Sequence, residues 1–219
     1  LELDPGNAEA HLLFAVIQHL HRRNTPVAEE HARRGVKLLV EQERPGATLA
    51  EARNILGNIL IEGGKFEEAI TVLRAAAVDD MNTSPHLAWG NLGYAYLRWD
   101  KPQEALEPLL QAVQIQPRFC VGFHRLGQAY VQLEDWQHAQ EALVSALEVD
   151  PTCGEAVQLQ GAWRLRAEVR ANLGDGESAV RDLDSCVALN PQTADGQAFQ
   201  RPLDAVPLSA RPVPEEEPT

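Results

Sequence analysis

The central part of this sequence repeats itself at a fixed step. Eight positions of one segment return in the next segment with their chemical type kept. They are Trp89, Leu92, Gly93, Tyr96, Ala105, Leu109, Ala112 and Pro117, followed by Phe123, Leu126, Gly127, Tyr130, Ala139, Leu143, Ala146 and Pro151. A fixed step of about 34 residues is typical of stacked helix-turn-helix units, each of which buries its apolar face only against its neighbours. The repeat therefore predicts an all-α array of helical hairpins.

The spacing inside one unit predicts two packed helices. Trp89, Leu92 and Tyr96 lie at i, i+3 and i+7, on one stripe of a first helix. Gly93 has no side chain at the point where the second helix must come close. An alanine-leucine-alanine stripe continues the core on the second helix, and Pro117 ends that helix because proline lacks an N–H. Each hairpin then needs a neighbour to cover its other side.

Composition agrees with helices and limits the partners. The 219 residues are 44% apolar and only 5% aromatic, which favours helix over sheet. A formal net charge of −13 repels polyphosphate, so nucleic acid is not expected as a partner. No apolar run approaches the roughly 18 residues of a membrane helix. Two locally basic stretches, residues 19–23 and 31–34, are interpreted as solvated helix faces, with contact to an anion as the alternative.

The repeat extends in both directions with defects. Upstream, Phe14 suits a first helix, whereas Gly35 suits a second helix only loosely. Downstream, the interval from Pro151 to Pro191 is longer than one repeat, so six additional residues are predicted to lengthen the first helix before Trp163. The predicted organisation is the end of a truncated upstream repeat at 1–7, a degenerate repeat at 8–49, repeats at 50–83, 84–119 and 120–153, a repeat with a lengthened first helix at 154–191, and a Pro-rich acidic tail at 192–219.

Residues that could carry catalysis or bind a metal are sparse. The seven histidines have no metal-site spacing, and no nucleotide-binding or nucleophile motif is present. Neither a cofactor nor an enzymatic activity is expected. Cys120 and Cys153 both follow a repeat-ending proline. Because neighbouring helices pack about 8–10 Å apart, thiols are favoured there, and a disulfide is possible only if the loops bend. Cys186 occupies a small core position and is predicted to pack.

On the eight repeated positions, the chain resembles the tetratricopeptide repeat proteins over about residues 1–191. The resemblance implies a right-handed superhelical solenoid whose first helices line a concave, peptide- or protein-binding side. The expected contact residues are first-helix positions that the core does not use. They are Asn54, Asn58, Ile61, Leu87, Gly90, Tyr94, Leu97, Arg98, Val121, His124, Gln128 and Val131.

One subgroup of these proteins clamps a C-terminal carboxylate with lysine, asparagine and arginine side chains. Asn58, Asn91 and Arg125 match that pattern, but Asn54 and Val121 stand where the two lysines would be. An apolar ligand, extended or helical, therefore suits the predicted face better than a free carboxylate does.

A finer resemblance is carried by NILGNILIEGGKFEEAITVL, by the longer connection that ends at Pro85, and by NLGYAYL and KPQEAL. These stretches are similar to the middle repeats of the pilotin lipoproteins of type IV pili, the PilF/PilW/Tgl group. The resemblance implies a periplasmic protein that is anchored to the outer membrane by a lipid upstream of this sequence, and that helps secretin subunits to assemble. A generic cytoplasmic scaffold or co-chaperone is the alternative, and the oligomeric state stays open.

Overall fold

The computed structural model describes Asp4, residues 6–43 and residues 47–193. All regular structure in these ranges is helical, so the all-α repeat fold predicted from the sequence is confirmed. The helices are α1 (Ala8–Leu20), α2 (Thr25–Glu41), α3 (Ala47–Glu62), α4 (Phe66–Ala77), α5 (Pro85–Arg98), α6 (Pro102–Ile115), α7 (Cys120–Gln132), α8 (Trp136–Glu148), α9 (Gln160–Asn172) and α10 (Gly176–Leu189). Of the predicted upstream remnant at 1–7 the structure describes Asp4, Gly6 and Asn7, and of the tail at 192–219 it describes Gln192 and Thr193.

Consecutive helices pair into hairpins, and the hairpins form two compact units. The N-terminal unit, Leu1–Gln116, contains the pairs α1–α2, α3–α4 and α5–α6. The C-terminal unit, Pro117–Thr219, contains α7–α8 and α9–α10. In the N-terminal unit α3 contacts both α1 and α5, so the three first helices lie side by side. In the C-terminal unit α7 contacts α9 in the same way.

A glycine on the first helix receives a leucine from the second helix in three hairpins. The pairs are Gly57 with Leu73, Gly93 with Leu109, and Gly127 with Leu143. A Cβ placed on Gly93 would lie 2.4 Å from Leu109 Cγ, which is closer than two carbons can approach. Glycine at this repeat position is therefore fixed by the crossing of the two helices and not by the backbone conformation.

The first hairpin reverses this arrangement. Gly35 lies on the second helix, α2, and a Cβ placed on it would meet Leu12 of α1 at 2.7 Å from Cγ. Ala28 and Ala32 are fully buried on the same helix. The glycine and the leucine have exchanged helices, which explains why this repeat matches the others poorly in sequence.

The lengthened first helix predicted for residues 154–191 is wrong. Helix α9 has 13 residues, the same as α7, and begins only at Gln160. The additional residues form an irregular connection that contains a short 3-10 helix, Val157–Leu159. The indole of Trp163 donates a hydrogen bond to the carbonyl of Gly154 at 3.0 Å. The Gly154 carbonyl thus accepts a hydrogen bond from a side chain of α9, and the connection folds back onto that helix.

Cys120 and Cys153 form a disulfide, so the preference for two thiols is also wrong. Their Cα atoms are 6.1 Å apart, within the usual range for a disulfide. The argument from helix spacing fails because Cys153 lies in the irregular connection before α9 and not on a helix. Cys186 is a buried thiol, as predicted.

We expect the variant Cys120→Ser/Cys153→Ser to be less stable than the wild-type protein by about 2–4 kcal/mol, because the crosslink restricts the unfolded chain. The measurement is denaturant unfolding with and without reductant. A Cys186→Ala variant, which keeps the disulfide, serves as the control and should respond to reductant as the wild-type protein does. Unfolding curves of the wild-type protein that coincide with and without reductant would contradict this role of the disulfide.

Candidate functional site

The exposed side of α1, α3 and α5 forms one surface of the N-terminal unit. Because these helices are neighbours, residues at equivalent positions line up across them. We call this surface the first-helix face. It is defined by Leu13, Ile17, Leu20, Asn54, Asn58, Glu62, Leu87, Tyr94 and Arg98.

Helix α5 contributes a fixed positive charge to this face. The Arg98 guanidinium donates hydrogen bonds to the Tyr94 hydroxyl and to the Glu62 carboxylate, both at 3.1 Å. It also lies 5.7 Å from the centre of the Tyr94 ring. The hydrogen bond with Tyr94 raises the pKa of Arg98 above its ordinary value, although burial acts in the opposite direction, and the charge of Glu62 adds to the rise. The cluster can therefore hydrogen-bond to a ligand without first reorganising.

Helix α3 contributes amides. The Asn91 side chain donates a hydrogen bond to the Asn54 side-chain oxygen at 2.9 Å, and Asn58 lies half-buried one turn further along α3. Asn54 is the residue that stands where a carboxylate clamp would have a lysine. The Asn54 side-chain oxygen is therefore already paired with a neighbouring amide, and the preference for an apolar ligand over a free carboxylate stays a prediction.

Two predicted contact residues belong to the core. Ile61 is 1% exposed and Leu97 is 6% exposed, so neither is available to a ligand, and their assignment to the binding face is wrong. Gly90 is buried as well. Ile61 belongs to the core cluster that joins α3, α4 and α5. Leu87 and Arg98 are exposed, whereas Asn54, Asn58 and Tyr94 are half-buried.

Helix α1 carries an exposed apolar stripe that the sequence did not single out. Leu13, Ile17 and Leu20 are 63%, 38% and 62% exposed, and their spacing places them on one side of the helix. Ala28 of α2 and Ala69 of α4 are buried at equivalent positions of the first and second hairpins, so their separation in the sequence gives the offset between the two hairpins. With the same offset, the three stripe residues occupy the repeat positions of Asn54, Asn58 and Ile61. The stripe was missed because this repeat matches the others poorly, although the run LLFAVI shows apolar residues on more than one side.

The C-terminal unit has a separate and smaller candidate surface on α7. Val121, His124, Gln128 and Val131 are all half-buried there. Val121 and Val131 pack against the apolar core of their own unit. These residues offer less accessible apolar surface than the stripe on α1, and their role in binding stays a prediction.

Among the described residues, neither a metal site nor a membrane-spanning helix is found. No group of three or more histidine, cysteine, aspartate or glutamate side chains is placed to hold a metal ion. None of the helices combines the length and the apolar character that spanning a membrane requires.

Stacked helical hairpins of this kind, with an exposed face on their first helices, define a repeat module for binding proteins or peptides. The family is clear from the sequence: the model of the tetratricopeptide repeat matches residues 56–118 and 124–194, and this chain belongs to that family. Proteins with this fold are generally interaction modules.

A curated relative connects the chain to pili. The chain is similar to the type IV pilus assembly protein PilF of Pseudomonas aeruginosa, with 31% identity over 107 residues. The aligned part covers 49% of this chain and 39% of that protein, so the chain spans well under half of its relative's length. The resemblance to type IV pilus proteins seen in the sequence is confirmed.

Solved structures support the fold. PilW, a type IV pilus biogenesis factor, superposes with a TM-score of 0.73 at 20% identity over 90% of this chain and 84% of its own. The PilF structure from Pseudomonas aeruginosa gives 0.68 at 21% identity over 90% and 82%. YrrB, a tetratricopeptide repeat protein described as having an unusual peptide-binding site, gives 0.59 at 17% identity over 90% and 93%.

Proposed function

We propose that this chain is a non-enzymatic pilotin of type IV pilus biogenesis, which binds secretin subunits and assists their outer-membrane localisation and assembly into multimers. The similarity to PilF supports the pilus system. The first-helix face supports the binding role, and the single observation that carries it is the exposed stripe of Leu13, Ile17 and Leu20. Apolar side chains aligned on one helix face are suited to an apolar segment of a partner protein.

The ligand that best fits this face is amphipathic. Its apolar side chains would cover the stripe on α1, and its backbone or polar side chains would hydrogen-bond to the Asn54 and Asn58 amides and to the Tyr94–Arg98–Glu62 cluster. Such a ligand would bury apolar area at one end of the face while keeping its polar groups paired at the other.

The disulfide supports a location in the cell envelope. Structural disulfides persist in oxidising compartments such as the bacterial periplasm and are rare in the cytosol. The bond between Cys120 and Cys153 therefore favours the periplasm, in line with the proposed role at the periplasmic face of the outer membrane. It also argues against the cytoplasmic scaffold that the sequence alone leaves open.

The test is deletion of the gene in the organism that carries it. We expect loss of detergent-resistant secretin multimers from the outer-membrane fraction, and loss of surface pili, with both restored by the wild-type gene. Immunoblots of the fractionated membranes measure the multimers. Normal multimers in the deletion strain would reject the proposal.

A further inference from the structure

The apolar stripe on α1 ends beside two exposed arginines. Leu20 is the last residue of α1, and Arg22 and Arg23 follow in the turn that leads to α2. Leu20 and both arginines are exposed to solvent. The stripe and two positive charges thus lie within a few residues of each other, in the basic stretch at residues 19–23 that the proposed function leaves unassigned.

The first hairpin does not neutralise these two charges. Helix α2 carries three acidic and three basic residues, so its own charges balance, and its first turn has no acidic residue. Among the described residues no carboxylate forms an ion pair with Arg22 or Arg23. The other described acidic residues of the hairpin lie at its opposite end, where α1 begins and α2 ends. They are Asp4, Glu9 and Glu43.

Two carboxylates near the turn end of the N-terminal unit are already engaged by other cations. Glu62, at the end of α3, pairs with Arg98 at 3.1 Å. Glu29 of α2 pairs with Lys65 at 2.6 Å and with Arg33 at 2.9 Å. Burial would raise the pKa of Glu29, but the hydrogen bonds from Lys65 and Arg33 outweigh burial and lower it. The two arginines of the turn are therefore an excess of positive charge at this end.

The stripe and the arginines together define the ligand that fits. From Leu13 to Leu20 the stripe extends about 10 Å along α1. A partner segment that covers it and continues past Leu20 meets Arg22 and Arg23, where an acidic residue gains charge-assisted hydrogen bonds and a basic residue is repelled. At the other end, the first turn of α1 carries the acidic Glu9. The charges therefore fix the direction of the segment as well as its composition.

We propose that the first-helix face binds a polypeptide segment in which apolar residues that cover the stripe are followed at one end by a cluster of acidic residues, and that Arg22 and Arg23 bind this acidic end. The inference rests on the binding role proposed above for this face, and it adds the charge and the direction of the ligand. Opposite charges on two surfaces raise the rate of association and make it sensitive to salt. The two arginines thus distinguish this segment from an equally apolar segment with a basic or neutral end.

The test selects ligands without assuming their source. Short random peptides displayed on phage are panned on the immobilised full chain, and peptides that also bind the variant Leu13→Asp/Ile17→Asp are discarded. We expect the remaining peptides to combine apolar residues with a cluster of acidic residues at one end. Synthetic copies should bind the variant Arg22→Glu/Arg23→Glu at least about tenfold more weakly than the wild-type protein, and copies with lysine in place of the acidic residues should show the reverse preference.

The matched control is Arg118→Glu/Arg181→Glu, which changes the net charge equally at two exposed side chains of the C-terminal unit. It should bind the selected peptides as the wild-type protein does. Glutamate fits the turn, since Glu134 has the same left-handed backbone conformation as Arg23. Selection of no stripe-dependent peptide, selection of peptides without acidic residues, or equal affinities of the two charge variants would overturn the inference. No secretin enters the experiment, so its result is independent of the deletion that tests the pilotin function.

Discussion

Replacing Asp182 by alanine should lower the free energy of unfolding of the C-terminal unit by about 3–5 kcal/mol, because it removes the buried carboxylate that pairs with the buried guanidinium of Arg166. The Asp182 carboxylate accepts hydrogen bonds from Arg166 Nε at 2.9 Å and from Arg166 Nη2 at 2.8 Å. Arg170 lies 2.8 Å from the same carboxylate. The side chains of Arg166 and Asp182 are only 4% and 2% exposed.

The surroundings of Arg166 keep its guanidinium protonated. Burial alone would lower the pKa of Arg166, but the hydrogen bonds and charges of Asp182 and Glu148 outweigh burial and raise it. The guanidinium also lies 4.7 Å from the centre of the Trp163 ring. The arginine therefore cannot relieve the loss of Asp182 by giving up its proton, and the exposed Glu148 carboxylate at 2.8 Å from Nη1 would be its one remaining ionic partner among the described residues.

Comparison with the other repeats supplies the control for this prediction. Arg166 follows Leu126 by the same number of residues as Pro191 follows Pro151. Arg166 therefore occupies the position at which the preceding repeat has a core leucine. The double variant Arg166→Leu/Asp182→Ala should recover much of the stability lost in Asp182→Ala, because a buried ion pair can be replaced by apolar packing. Arg181→Ala, which breaks an exposed pair with Glu177, should change stability by less than about 0.5 kcal/mol.

Chemical denaturation followed by circular dichroism gives all these free energies. A loss of less than about 1 kcal/mol for Asp182→Ala would show that the buried pair contributes little. A double variant as unstable as the single one would show that the arginine charge is not the cause.

On the proposed pilotin function, the variant Leu13→Asp/Ile17→Asp should weaken binding of a secretin fragment at least about 100-fold. Each side chain contributes roughly 1.5–3 kcal/mol when it is fully buried by a partner, and aspartate would add a desolvation cost. Both residues are exposed in the free protein, so helix content and unfolding should stay close to wild type. Biolayer interferometry with a purified secretin fragment measures the affinity.

The matched control for the stripe is Leu110→Asp. Leu110 is 45% exposed on the second helix α6, away from the first-helix face. We expect this variant to bind the secretin fragment as the wild-type protein does. Equal affinities for the stripe variant and the wild-type protein would place the binding surface elsewhere on the molecule.

Helix pairing could be predicted from the sequence because it depends on contacts that recur. The contact of Gly93 with Leu109 joins the two helices of one hairpin, and the same contact returns at the same spacing as Gly127 with Leu143. Where a repeat is longer than the others, the spacing does not predict the conformation of the additional residues. The six additional residues before α9 could extend a helix or fold back, and the disulfide of Cys153 accompanies the second result.

The candidate site was less predictable because exposure depends on how closely neighbouring hairpins approach. The helical spacing places Ile61 and Leu97 toward the same side as Asn58 and Tyr94, but both aliphatic side chains are buried, with exposures of 1% and 6%. The stripe on α1 had a signal in its apolar run, which the weak match of the first repeat obscured. Arg166 also had a signal, since an arginine at a core leucine position requires a buried partner.

Hydrogen exchange of the protein with and without a bound secretin fragment tests most directly whether the first-helix face is the binding surface. We expect slowed exchange to concentrate on the first helices of the N-terminal unit, and most of all on α1 around Leu13, Ile17 and Leu20. Slowed exchange that falls instead on the second helices α2, α4 and α6, with α1 unchanged, would contradict it.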